Sequence, residues 1–150
     1  RFQEISPEMA QAMIEGLSPL ADYAVIDLPS SPSIAAKVAI SRANYVAVVL
    51  EPEPMCVSAA KAMVALLNSW GASQRLIGAI VVNRVSLPTA WNPEQVAAQL
   101  ACEVIGTVPR ATEACVAARE AGVPLVLYDP MGVAAMNLRD IAAKIVRNIL

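Results

Sequence analysis

The sequence predicts an α/β domain in three layers, a mainly parallel sheet with helices on both faces, and three observations predict it. Short runs rich in β-branched residues, at 23–28, 45–50, 76–83 and 104–108, alternate with longer stretches of helical periodicity. These runs are apolar on both faces, as strands of a sheet covered on both sides by right-handed crossovers must be. Aromatics make up 4% of a chain that is 57% hydrophobic, so the core must be built from Ala, Val, Ile, Leu and Met. At 150 residues the chain fits one domain, 1–150, with no linker or low-complexity tract.

Prolines punctuate the helices. Ser6-Pro7, Ser31-Pro32, Glu53-Pro54, Asn92-Pro93 and Asp129-Pro130 each place a polar residue at or near the N-cap and Pro at the first helical position, where its missing N–H is harmless. Glu53 is the weakest cap of the five, whereas Asn92 has Gln95 three residues on, the spacing of a capping box. The run at 125–128 after Gly122 reads as a fifth strand, and 131–150 as a helix packing back on the sheet.

Composition excludes much. A net charge of −2, with 11 basic and 13 acidic residues scattered along the chain, gives no basic stripe for nucleic acid. No apolar run approaches the roughly 20 residues of a membrane span, and a cytoplasmic location is expected. The absence of histidine removes Ser-His and Cys-His nucleophilic pairs and the commonest zinc ligand. Cys56, Cys102 and Cys115 are too far apart for a C-x-x-C pair and read as small core residues in a reducing compartment. The first residue is Arg1 rather than Met, so the chain is expected to begin inside a longer gene product.

Ligands of parallel α/β sheets bind beyond the carboxyl ends of the strands. Here those ends are polar: Asp27-Leu28-Pro29-Ser30-Ser31, Glu51-Pro52-Glu53-Pro54, Asn83-Arg84 and Pro109-Arg110, all expected on one edge. An aspartate leaving an apolar strand holds magnesium directly or through water, or else caps a turn. Asn83 offers the acceptor and donor that read an adenine edge, or else simply forms a turn. Arg84 and Arg110 touch a nucleotide or are solvated. Trp70 is expected to pack at a helix end. Trp91, on a loop after Asn83, is either a partner contact or packs against the following helix.

Taken in order, V-I-D-L-P-S, V-V-L-E-P-E-P, I-G-A-I-V-V-N-R and V-I-G-T-V-P-R resemble the ParA/MinD family of deviant-Walker ATPases, over nearly the whole chain from about Asp22, including A-x-x-A-G-V-P ending at Pro124. Within the family, the likeness is closest to the pilus-assembly and localisation branch related to CpaE and TadZ. The resemblance implies a P-loop NTPase-like fold, ATP and Mg2+ as ligands of the complete protein, and a homodimer that positions protein partners of a pilus or partitioning system. It implies that Asp27, before the rigid Pro29 turn expected to start a helix beside the phosphates, is the Walker B aspartate on the magnesium side, and that Asn83 recognises adenine. It further places Pro109 and Arg110 in the loop bordering the base, and Glu51 and Glu53 near the dimer face.

The family's glycine-rich lysine loop, whose N–H groups cradle phosphates, is absent from these 150 residues. No Gly-Lys pair occurs, and Lys37, Lys61 and Lys144 all fall inside helical patterns. The chain alone is therefore expected not to hydrolyse ATP, although its parent is expected to be a Mg-dependent ATPase. In such relatives the loop's strand adjoins the Walker B strand, so 23–28 is expected to lack a neighbour unless it pairs with 45–50 or with a second chain. Two other classes compete with the ATPase switch. One is a non-catalytic pseudo-ATPase localisation or scaffold module; the other is a ligase related to dethiobiotin-type synthetases, against which Glu51-Pro52-Glu53-Pro54 argues.

Overall fold

The computed structural model describes residues 5–84 and 91–149. The elements run α1 (Pro7–Leu17), α2 (Ile34–Arg42), β1 (Val46–Leu50), α3 (Pro54–Ser69), β2 (Ile77–Val82), α4 (Pro93–Leu100), β3 (Glu103–Val108), α5 (Thr112–Glu120), α6 (Leu125–Tyr128) and α7 (Val133–Ile149). The three strands form one parallel sheet in the order β1-β2-β3. Helices lie on both of its faces, as expected.

Alternation along the strands divides the sheet into two faces. Val48 and Leu50 of β1, with Ile77, Ala79 and Val81 of β2, bury one face against Val57, Ala60, Val64 and Leu67 of α3, Val96 and Leu100 of α4, and Ile40 of α2. The other face meets α7 at β3. A register shift between Ala79 and Ile80 places Ile105, fully buried, over Gly78, and sets Gly106 against Ile141 of α7. Both glycines are required by close approach: a Cβ at Gly78 would strike the Tyr45 hydroxyl, and one at Gly106 would strike Ile141. Trp70 packs on the core beside α3, as its position after that helix suggested.

Three of the five Pro-marked helix starts form as expected. Ser6 Oγ accepts from the Met9 N–H at 3.2 Å, and Asn92 and Gln95 close a reciprocal capping box. Glu53 precedes Pro54 at the start of α3 without a side-chain capping bond. The second start shifts: Ser33, not Ser31, caps α2 through its bond from the Ala36 N–H, because the cap must lie three residues before an available amide. The last also shifts, since residues 129–132 form a turn closed by Gly132 N–H to Asp129 C=O and α7 begins at Val133.

Two predicted strands are absent. Residues 125–128 form the short helix α6, because the amides of Leu127 and Tyr128 turn back onto the Pro124 carbonyl. Residues 23–28 are strand-like in sequence but enter no ladder, nor do they pair with β1. A strand needs a neighbour to receive its hydrogen bonds, and none lies beside this stretch among the described residues. Val25 is 96% exposed, and only Leu28 of this run packs on the core.

Candidate functional site

The ends of β2 and β3 build the site. The Asn83 N–H donates to the Val108 carbonyl at 2.9 Å, carrying the parallel register one residue past the strand and setting Asn83 beside Pro109. Arg84 Nη1 lies 3.1 Å from Glu51 Oε1 at the end of β1. This pair is solvent-exposed on the Arg84 side, and exposed pairs contribute about 0–1 kcal/mol, so it steers Arg84 more than it stabilises the fold. Arg110 Nε donates to Thr112 Oγ1 at 3.1 Å, tying the residue after Pro109 to the first turn of α5.

Between these strand ends and α5, α6 and α7 lies a cavity of about 520 Å³. Asn83, Arg84, Pro109 and Arg110 all line it. Its floor is apolar, from Val82, Val108, Val116, Leu125, Ala134 and Leu138, and its rim carries Arg84, Arg110 and Arg119 with no carboxylate among the lining residues. An apolar slot with convergent polar groups and a cationic rim suits a flat heterocycle bearing an anionic tail. Of the α5 contribution, Thr112, Cys115, Val116 and Arg119, only Cys115 was singled out from sequence, and then as a core residue. The i, i+3, i+4, i+7 spacing of these four marks one helix face and was the available signal. Arg139 shapes the far wall by donating at 2.9 Å to the carbonyls of Val126 and Pro130, which holds α6 against α7.

The other candidates lie outside this cavity. Asp27 and Pro29 are exposed on the unpaired stretch. Glu53 is half-buried at the start of α3, and Trp91 packs on the core beside α4. The rest of the loop before Trp91, residues 85–90, is outside the described residues. The cysteines also depart from expectation: Cys115 is exposed at the cavity, Cys56 is only partly buried, and Cys102 is partly buried against the core cluster. Burial raises the Cys102 thiol above its ordinary value.

As for metal, no cluster of three or more Asp, Glu, Cys or His side chains exists among the described residues. Magnesium is commonly held by one or two carboxylates together with substrate phosphates and water. Asp27 fits that limited share, and phosphates would have to supply the rest.

The architecture is that of the ParA/MinD ATPases, a P-loop NTPase-like fold. The chain is 33% identical over 147 residues to an uncharacterized ATP-binding protein of Methanocaldococcus jannaschii, an alignment covering 97% of this chain and 54% of that protein. It is 27% identical to the septum site-determining protein MinD of Thermotoga maritima, covering 94% of this chain and 53% of that one. Among solved structures, MinD of Pyrococcus horikoshii complexed with Mg-ADP superposes with a TM-score of 0.78 at 20% identity, covering 93% of this chain and 56% of that chain. A ParA family ATPase from Chlorobium tepidum gives 0.81 at 16% identity, covering 93% and 57%. No family model matches the chain. The chain thus spans about half the length of the curated relatives it matches.

Proposed function

We propose that this chain is the C-terminal, base-binding part of a ParA/MinD-like ATP-binding switch that positions or assembles other cell components, and that it does not hydrolyse ATP by itself. The cavity carries the reading, because it unites Asn83, Arg84, Pro109 and Arg110 at the carboxyl ends of two parallel strands. In this reading adenine enters the slot, with the Asn83 carboxamide on its edge and Pro109 on its border. Asp27 serves the magnesium side once phosphates are present. The complete protein works as a homodimer with Glu51, Glu53 and Trp91 near its contact surfaces. The motif order favours the pilus-assembly branch of such switches.

Phosphoryl transfer depends on positioning and neutralising the phosphates. The three lysines have no part in that here. Lys37 and Lys61 lie within α2 and α3, and Lys144 donates to the Ile105 carbonyl from α7. A second reading is a non-catalytic localisation module that keeps the fold without turnover.

Calorimetric titration with ATP and GTP, beside a phosphate-release assay, tests both readings in the longest polypeptide encoded in the reading frame of this chain. Adenine-selective binding that weakens roughly 5- to 150-fold in Asn83→Ala, the loss of about 1–3 kcal/mol that a bidentate base contact supplies, is the expected result. Equal affinity for both nucleotides, or no effect of Asn83→Ala, rejects the base site. Magnesium-dependent hydrolysis that vanishes in Asp27→Ala rejects the non-catalytic module, and hydrolysis by the 150-residue chain alone rejects the claim that it lacks catalytic machinery.

A further inference from the structure

Two neighbouring residues at the end of β2 have opposite preferences for a purine. Asn83 and Arg84 both line the cavity. A carboxamide carries a donor and an acceptor, which match the N7 acceptor and the N6 donor of adenine. A guanidinium carries donors alone, which match the N7 and O6 acceptors of guanine and offer nothing to the N6 donor of adenine. A guanidinium loose in a purine slot therefore draws guanine. An adenine site that contains one has to hold it off the base.

Glu51 is placed to do so. It leaves β1 one residue after Leu50, whose partner across the ladder is Val81, and its Oε1 accepts from Arg84 Nη1 at 3.1 Å. Glu51 is not among the residues that line the cavity, so the bond draws the tip of Arg84 from the rim towards the end of β1. Neighbouring strands lie about 4.8 Å apart, a span that the arginine stem covers. The other two arginines of the rim are placed differently. Arg110 Nε donates to Thr112 Oγ1, and Arg119 stands seven residues beyond Thr112, about 10 Å along α5. Arg84 is thus the cation that adjoins the adenine reader, and Glu51 is the carboxylate that engages it.

We infer that Glu51 is a positioning residue for base selectivity: by holding Arg84 towards β1 it leaves the purine edge to Asn83 and disfavours guanine. This rests on reading the cavity as a base site. An exposed ion pair is a weak tether, so Glu51 tunes the preference that Asn83 sets rather than creating it.

Calorimetric titration with ATP and GTP, in the polypeptide used for the titration above, tests the inference through the ratio of the two affinities. Loss of a carboxylate beside the site strengthens both triphosphates alike, and structural damage weakens both alike, so neither moves the ratio. In Glu51→Ala the ratio is expected to shift towards GTP by roughly two- to fivefold, the most that releasing an exposed pair supplies. Glu51→Gln, which keeps an acceptor without the charge, should fall between Glu51→Ala and the wild type. In an Arg84→Gln background Glu51→Ala should leave the ratio where Arg84→Gln alone sets it. A ratio unchanged by Glu51→Ala overturns the inference, as does a shift of equal size in the Arg84→Gln background. Equal affinity of the wild type for ATP and GTP removes the base site and this inference together, whereas adenine selectivity that Glu51→Ala leaves intact removes the inference alone.

Discussion

Tyr45 shows how much a single side chain does here that its sequence position does not announce. Its hydroxyl lies over Gly78, hydrogen-bonds with Asn148 near the end of α7, and so joins the start of β1 to the last helix. Burial raises its phenol above the ordinary value; the bond with Asn148 opposes that, and the nearby charges of Glu103 and Cys102 reinforce it. A raised folded-state value means that the contribution to stability is whole below about pH 10, the ordinary tyrosine value, and is lost as pH rises through the folded value. Urea midpoints measured at pH 8 and pH 10.5 should therefore fall more in the wild type than in Tyr45→Phe. The Cys102 thiol, also raised by burial, leaves a residual decline in the variant. Parallel declines would show that Tyr45 titrates alike folded and unfolded. A second residue-scale feature is Ala101, the left-handed C-cap of α4 with φ 52°. Relief of left-handed strain outweighs the added freedom of glycine in the unfolded chain, so Ala101→Gly should stabilise the fold by roughly 0.5–1 kcal/mol in chemical denaturation. Asn83 and Pro109 were legible as strand-end residues, here lining the cavity, because they are polar or rigid punctuation after apolar runs. Arg119 and Leu138 were not, because only tertiary packing brings α5 and α7 to the strand ends.

Elements were legible where their signals are local. The Asn92 box before Pro93 and the Ser6 cap before Pro7 depend on bonds within three residues, and both are present, while the Pro54 start forms without a side-chain cap. The two failed strands have different causes, one distant in sequence and one local. Residues 23–28 have the composition of a strand, yet strand formation is a relation between chains of hydrogen-bonding groups, and no neighbour is available. The 125–128 run is too short for periodicity to separate strand from helix, and the Pro124 carbonyl decides it. The contact between β3 and α7 gives the element-scale prediction. Because a Cβ at Gly106 would overlap Ile141, Gly106→Ala should push α7 away from β3 and cost about 1–3 kcal/mol in chemical denaturation. The paired change Gly106→Ala with Ile141→Val should recover part of that loss, whereas Ile141→Val alone should cost about 0.5–1.5 kcal/mol.

At the scale of the whole molecule, the asymmetry of the sheet governs how it associates. The sequence supports a parallel α/β sheet, and the structure adds that one edge is closed by side chains while no strand among the described residues meets the other. That distinction could not be read from periodicity, because Asn137 and Lys144 look like ordinary polar positions of an amphipathic helix until β3 is placed beneath them. Their two bonds satisfy the carbonyls of Thr107 and Ile105, which no strand among the described residues meets. Removing both in Asn137→Ala/Lys144→Ala should cost about 2 kcal/mol, a net sum for one neutral and one charged donor. More distinctively, it should open the second edge to strand addition. Sedimentation velocity over a concentration series separates these effects. Lys144→Arg, which keeps a cationic donor at that position, should sediment like the wild type, while the double alanine variant should shift to faster species as concentration rises. An alanine variant that loses stability but sediments unchanged would mean that the two side chains anchor α7 without guarding the β3 edge.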